Sequence, residues 1–206
     1  RLWAWDKLKS HNPELKVLIG IEKGKDLPKF AATILECFGI CKDDIVTFDD
    51  CVSVENLYTA SPYYVIGDHI NPAISAVWNK IAEQAKGGIS EINGDKLFIA
   101  RPAKGGRKCL NPERLEDMFK ESGFEFYNPE NHTWLDQIKT FSQAKVIAGY
   151  AGSGTFNTMF SNSVKKMFII GSDSYTSCNE HYICAIKNID LTYFWGDSLL
   201  QHGSQW

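Results

Sequence analysis

The stretch that most constrains what this chain can fold into covers residues 141–160, FSQAKVIAGYAGSGTFNTMF. Residues 145–149 are a compact apolar run suited to a buried strand, a turn of small residues follows, and a helix is expected to begin near Thr155 and Asn157. Gly152 and Gly154 can adopt positive φ and let a ligand approach the backbone closely. The amides that open the next helix are expected to point outward as unpaired donors. Strand, glycine turn and helix start in that order make a seat for an anion, most often a phosphate. The same pattern also serves as a plain βα connection, so on this stretch alone both readings stand.

Around it the chain alternates strands and helices. Residues 2–8 could turn Leu2, Trp3, Trp5 and Leu8 inward as a short helix, and 16–20 (KVLIG) read as a strand. Residues 27–38 carry Phe30, Ile34, Leu35 and Phe38 at helical spacing, with Gly39 placed to cap them. Residues 45–48 and 52–59 are expected as strands, 60–71 as an irregular crossover, and 72–85 as a helix opened by Pro72. After a polar hinge at 86–95 a second unit follows: strands at 96–100, 124–127, 145–149, 166–171 and 191–195, with helices at 111–123, 134–142 and 178–186. Leu115, Met118 and Phe119 are expected to face inward from the first of those helices. The expected organisation is one α/β unit at 1–85 and a second at 86–206, with a cleft between them.

With 206 residues, 44% hydrophobic and 23% charged, the chain can bury a proper core. Its net charge of -3 argues against a partner such as nucleic acid that needs a broad basic surface. The six cysteines show neither a CxxC pair nor zinc-ligand spacing, so reduced thiols and no metal are expected. No apolar run is long enough to span a bilayer. The chain opens at Arg1 without a methionine, as expected of a segment of a longer protein whose targeting information would lie elsewhere.

In open α/β sheets ligands bind outside the carboxyl ends of the strands, which points to the loops at 101–108, 149–155 and 171–179. Arg101, Lys104, Arg107 and Lys108 form the densest positive cluster, directly after a strand. Guanidinium forks and ammonium charges there suit phosphate oxygens, although a solvated basic loop has the same composition. Asp68 and His69, together in the crossover, are candidates for a general base or for two solvated loop residues. Glu180 and His181 open the last helix, where they could bind ribose or sugar hydroxyls or simply cap the helix. Tyr150 beside the turn could stack on a nucleobase or pack in the core. A GxSxG elbow, a P-loop, HExxH and a strand-linked GxGxxG are all absent.

Three ordered blocks, LFIARPAKGGRKCLNPERL, GFEFYNPENHTWLDQIKTFSQAKVIAG and AGYAGSGTFNTMF, resemble glycosyltransferase family 61, which includes capsular polysaccharide biosynthesis proteins. The likeness extends over residues 96–197 and, less closely, back to residue 17. It implies a GT-B-like α/β fold of two Rossmann-like units, an N-terminal acceptor-side unit at 1–85, shorter than a full acceptor domain, and a C-terminal nucleotide-sugar-binding unit at 86–206. It further implies inverting transfer of a sugar from a nucleotide-sugar donor to a glycan or polysaccharide hydroxyl, with no cofactor and no obligatory metal, in the cytoplasm or at the inner face of a membrane. Carried over to this chain, Arg101, Arg107 and Asn111 match the basic-loop positions, Gln137 the helix glutamine, and Gly152, Ser153, Gly154 and Asn157 the turn. Lys108, Thr155 and Glu180 complete the expected donor site, and Asp68 or His69 is the expected base. Two positions depart from the pattern: Ala151 stands where many members have histidine, and Asp-x-Asp is missing. The alternative is a module that binds a nucleotide or glycan without catalysis.

Overall fold

The computed structural model describes residues 1–101 and 109–198. It divides into two compact units, Arg1–Ala85 and Lys86–Trp206.

In the first unit a 3-10 turn, Leu2–Ala4, runs into helix α1, Trp5–His11. Strand β1, Val17–Gly20, pairs in parallel with β2, Ile45–Phe48, and helix α2, Lys29–Phe38, connects them. Gly39 ends α2 at φ 98°, with its amide on the Glu36 carbonyl and the Ile40 amide on Leu35, the left-handed cap that glycine adopts without steric cost. Helix α3, Ile74–Gln84, packs against α2. Leu35, Phe38, Ile40, Trp78 and Ile81 are buried, and the Lys80 ammonium lies 4.1 Å above the Phe38 ring while bonding Asp6.

Three expectations for this unit change. Residues 51–59 form no strand and are exposed throughout. Their alternation breaks at Glu55 and Asn56, and the Cys51 amide is spent on the Asp50 carboxylate at 2.7 Å instead of on a ladder. The crossover carries a minimal antiparallel hairpin, β3 (Tyr64–Val65) with β4 (His69–Ile70). Phe30 is 58% exposed, since it lies about 140° round the helix from Leu35.

The second unit is a five-stranded sheet with every neighbouring pair parallel. Its strands are β5 (Lys96–Ile99), β6 (Glu125–Tyr127), β7 (Val146–Tyr150), β8 (Lys166–Ser172) and β9 (Asp190–Gly196). Helices α4 (Pro112–Glu121), α5 (Trp134–Gln143) and α6 (Asn179–Lys187) occupy three of the four crossovers, and a 3-10 run, Ser153–Phe160, occupies the one between β7 and β8. The order β6-β5-β7-β8-β9 is the 2-1-3-4-5 order of the flavodoxin-like doubly wound class, a Rossmann-like α/β arrangement. Its direction of travel reverses between β5 and β7.

Period-two alternation divides the core between the sheet's faces. Leu97, Ile99, Ile147, Met167 and Ile169 join Phe141, Ala144 and Cys184 on one side. Phe98, Ala148 and Ile170 join Leu115 and Phe119 of α4 on the other. Met118 is 54% exposed instead of inward, because a helix rotates one residue by about 100° and the buried arc is already taken by Leu115 and Phe119. Phe98 centres an aromatic cluster, with Phe126, Phe119 and Tyr150 at centroid distances of 4.5, 4.9 and 5.6 Å. Among the described residues no helix is long and apolar enough to cross a membrane.

Phe98→Ala is expected to cost about 3–5 kcal/mol, as large aromatic truncations in packed cores do. Phe194→Ala, on the half-exposed edge strand, should cost under about 1 kcal/mol. Urea midpoints for the two variants at unchanged m-value provide the check.

Candidate functional site

At the strand-order reversal, β5 and β7 meet in register, Ile99 opposite Gly149. A Cβ on Gly149 would lie 2.9 Å from both the Cβ and the carbonyl oxygen of Ile99, so the two strands can come this close only with glycine there. Beyond Ile99 and Tyr150 respectively, the two strands end at the sheet's carboxyl edge. β5 delivers Arg101 and β7 delivers Ala151 and Gly152. The Arg101 guanidinium donates to the Ala151 carbonyl, tying the two loops together, and its carbon lies 6.0 Å from the centre of the Tyr150 ring. Lys104, Arg107 and Lys108 lie outside the described residues.

Tyr150 is packed, only 6% exposed, and donates its hydroxyl to Glu116 of α4 at 3.2 Å. Burial first, and then the Glu116 charge, holds the phenol far above its ordinary range. Its ring belongs to the Phe98 cluster, which leaves no face for a nucleobase.

The turn is built from Gly152 at φ 140° and ψ −172°, a conformation essentially restricted to glycine. Gly154 is not among the positive-φ residues. Its importance is proximity, since a Cβ there would stand 3.1 Å from the Ile99 side chain. The segment that follows is a 3-10 run in place of the expected α-helix. Thr155 Oγ1 donates to the Gly152 carbonyl at 2.8 Å and Thr158 Oγ1 to the Thr155 carbonyl at 2.7 Å. Hydroxyls that bond three residues back compete with α-helical pairing and favour the tighter coil.

The expectation of outward, unpaired amides holds only in part. The Gly152 amide donates to Glu180 Oε1 at 2.7 Å, and the Thr155 amide to the Gly152 carbonyl at 3.1 Å. Ser153 and Gly154, preceding that first 3-10 bond, have no intrahelical carbonyl for their amides. Glu180 and Thr155 are both 0% exposed and face the protein beneath the turn, whereas Ser153 is on the surface.

Farther along, Asn157 donates through Nδ2 to Gln137 Oε1 at 2.6 Å. Gln137 Nε2 in turn donates to the carbonyls of Pro129 and His132 at 2.8 and 3.2 Å, which leaves its oxygen as the acceptor for Asn157. Two residues that the sequence presents only as separate motif positions are therefore one hydrogen-bonded pair. Asn111 is exposed at the N-cap of α4, with the Cys109 thiol 3.5 Å from its Oδ1. The roles of Glu116 and of the Ala151 carbonyl were not legible beforehand, because no local pattern marks a partner one crossover away.

In the first unit, Asp68 and His69 form an exposed pair on the β3–β4 hairpin, with Nδ1 2.8 Å from Oδ2. That bond, followed by smaller effects, raises the imidazole above its ordinary value near 6.5. Among the described residues no group of three or more His, Cys, Asp or Glu side chains could hold a metal ion.

Residues 8–168 match the family model described as Glycosyltransferase 61, and the chain belongs to that family. No curated protein matches it.

The Asp68–His69 bond has a sign that can be tested. A raised folded-state pKa means that the pair favours the protonated ring, a contribution complete below the unfolded value and lost as pH rises through the folded one. NMR titration should place His69 above 6.5, and Asp68→Asn should return it toward that value.

Proposed function

We propose that this chain carries the transferase chemistry of an inverting glycosyltransferase of GT-B type, moving a sugar from a nucleotide-sugar donor to a hydroxyl of a glycan or polysaccharide, with the cytoplasmic location expected of a capsular polysaccharide biosynthesis protein. One observation carries the reading: the switch point of the sheet, where open α/β folds bind ligands, brings Arg101 and the Gly152 turn to one edge, joined through the Ala151 carbonyl. Family membership supports the reaction class, and the meeting of Arg101 with the Gly152 turn supports the reading of that edge as the seat for a diphosphate.

In this reading a base removes the acceptor hydroxyl proton as the oxygen attacks the anomeric carbon. The bond from that carbon to the diphosphate breaks on the opposite face, and both bonding electrons leave with the phosphate oxygen. Charge thus develops on the leaving group, and stabilising it is the main electrostatic task. The amides of Ser153 and Gly154, together with Arg101, Arg107 and Lys108, would meet that charge, with Asn111 at the neighbouring helix start. Asp68 or His69 is the proposed base, the two side chains being bonded to each other through Oδ2 and Nδ1. Glu180, Thr155 and Asn157 serve the site from within, by holding the turn.

A second reading, binding without transfer, is favoured by Ala151: it contributes no side-chain base or donor at a turn position where many relatives have histidine, and its carbonyl is engaged by Arg101.

A thermal-shift screen against UDP, GDP, CMP and their sugar conjugates separates these outcomes. Binding raises the melting temperature by mass action, by the equivalent of about 2.7 kcal/mol at a hundred times the dissociation constant. One nucleotide should shift the native chain, and Arg107→Ala should weaken that affinity about ten-fold or more, as loss of a charged phosphate contact does. Product analysis with the selected sugar then distinguishes transfer from binding. A chain that responds to none of these nucleotides overturns the donor-site reading.

A further inference from the structure

We infer that Glu180 and Gln137 are positioning residues that clamp the turn from its two ends, one fixing Gly152 and the other fixing Asn157. The inference rests on the reading of this turn as the donor seat. Glu180 sits in the first turn of α6, is completely buried, and accepts the Gly152 amide at 2.7 Å. A carboxylate in that position takes up the amide of the turn residue whose backbone conformation is restricted to glycine. It therefore holds Gly152 at φ 140°, and the next two amides, those of Ser153 and Gly154, inherit their direction from it. At the far end Gln137, anchored by the Pro129 and His132 carbonyls, holds Asn157 at 2.6 Å. The 3-10 run contacts both α5 and α6, the helices that carry the two anchors.

This assigns Glu180 a role different from ribose recognition. With no exposed surface, it would act on a donor through the backbone of the turn. The buried carboxylate occupies an inward amide and leaves the following ones for an outside anion. Amides pre-set in this way lose little freedom on binding, so the clamp should act on affinity.

Glu180→Ala, Glu180→Gln and Gln137→Met are compared with the native chain by site-resolved amide hydrogen exchange and by dissociation constants for UDP, GDP and CMP. Glutamine keeps an oxygen able to accept from Gly152, whereas alanine does not. In Glu180→Ala, exchange at Gly152 and Thr155 should accelerate about ten-fold or more relative to amides of β5 and β7, with a matching loss of nucleotide affinity. Glu180→Gln should restore both to within about three-fold, a rescue that general loss of stability would not show. If Glu180→Ala does not fold, Gln137→Met carries the comparison from the other end, read at the Asn157 side-chain amide and in nucleotide affinity. Unchanged exchange at the turn, or equal acceleration across the whole sheet, overturns the clamp. A locally loosened turn with unaltered affinity leaves the contacts as architecture and overturns the positioning role alone, whereas a native chain that binds none of the three nucleotides overturns the donor reading on which it rests.

Discussion

The close passage of β5 against β7 underlies everything that happens at the carboxyl edge of the second unit. Parallel strands joined by crossovers can lie side by side at many separations in sequence, but here the first strand of the unit meets the third, and the order runs outward in opposite directions from that pair. Gly149 allows the contact because any side chain would strike the Ile99 backbone. From it follow the emergence of Arg101 beside Ala151, the folding of Gly154 over Ile99, and a turn that α6 can support from beneath. Backbone amides held by buried side chains at such an edge require no reorganisation when charge develops beside them.

Elements with strong local periodicity were legible in the sequence. The strands KLFIA and KMFIIG, the capped helix ending at Gly39 and the helix following the basic loop occur within a few residues of their expected limits. So was the emergence of Arg101 and the Gly152 turn at one sheet edge, because strand ends are where an α/β fold displays its loops. The misreadings share a cause. Val52 and Val54 have strand-like alternation, yet a strand exists only by pairing, and no partner is offered to them in the first unit. Met118 and Phe30 have the right character but fall off the buried arc of their helices.

Partnership across the fold was the least legible layer. Nothing local to Glu180 indicates that its carboxylate will meet an amide 28 positions earlier in the chain, nor does anything in Gln137 announce Asn157. Composition places Glu180 at a helix start, where capping and ligand binding both suit an acidic residue. Only the complete burial of its side chain distinguishes an internal support from a surface contact. Residues 102–108, which carry the remaining cations of the basic loop, lie outside the described residues, so at this edge only Arg101 of that loop's cations can be placed beside the turn.

The all-parallel sheet also governs how this unit reaches its native state. No two of its strands can be joined by a tight hairpin, and Ile99 must find Gly149, fifty positions further along the chain, before the central pairing exists. Contacts so distant in sequence repay their loop-closure entropy late, so assembly should be slow compared with a helical chain of the same size. Until β5 and β7 zip together, apolar strands such as VIAGY and KMFIIGS present unpaired backbone edges to other copies. Productive synthesis of this unit therefore depends on dilution, or on chaperones that keep nascent chains apart, as much as on the stability of the finished sheet.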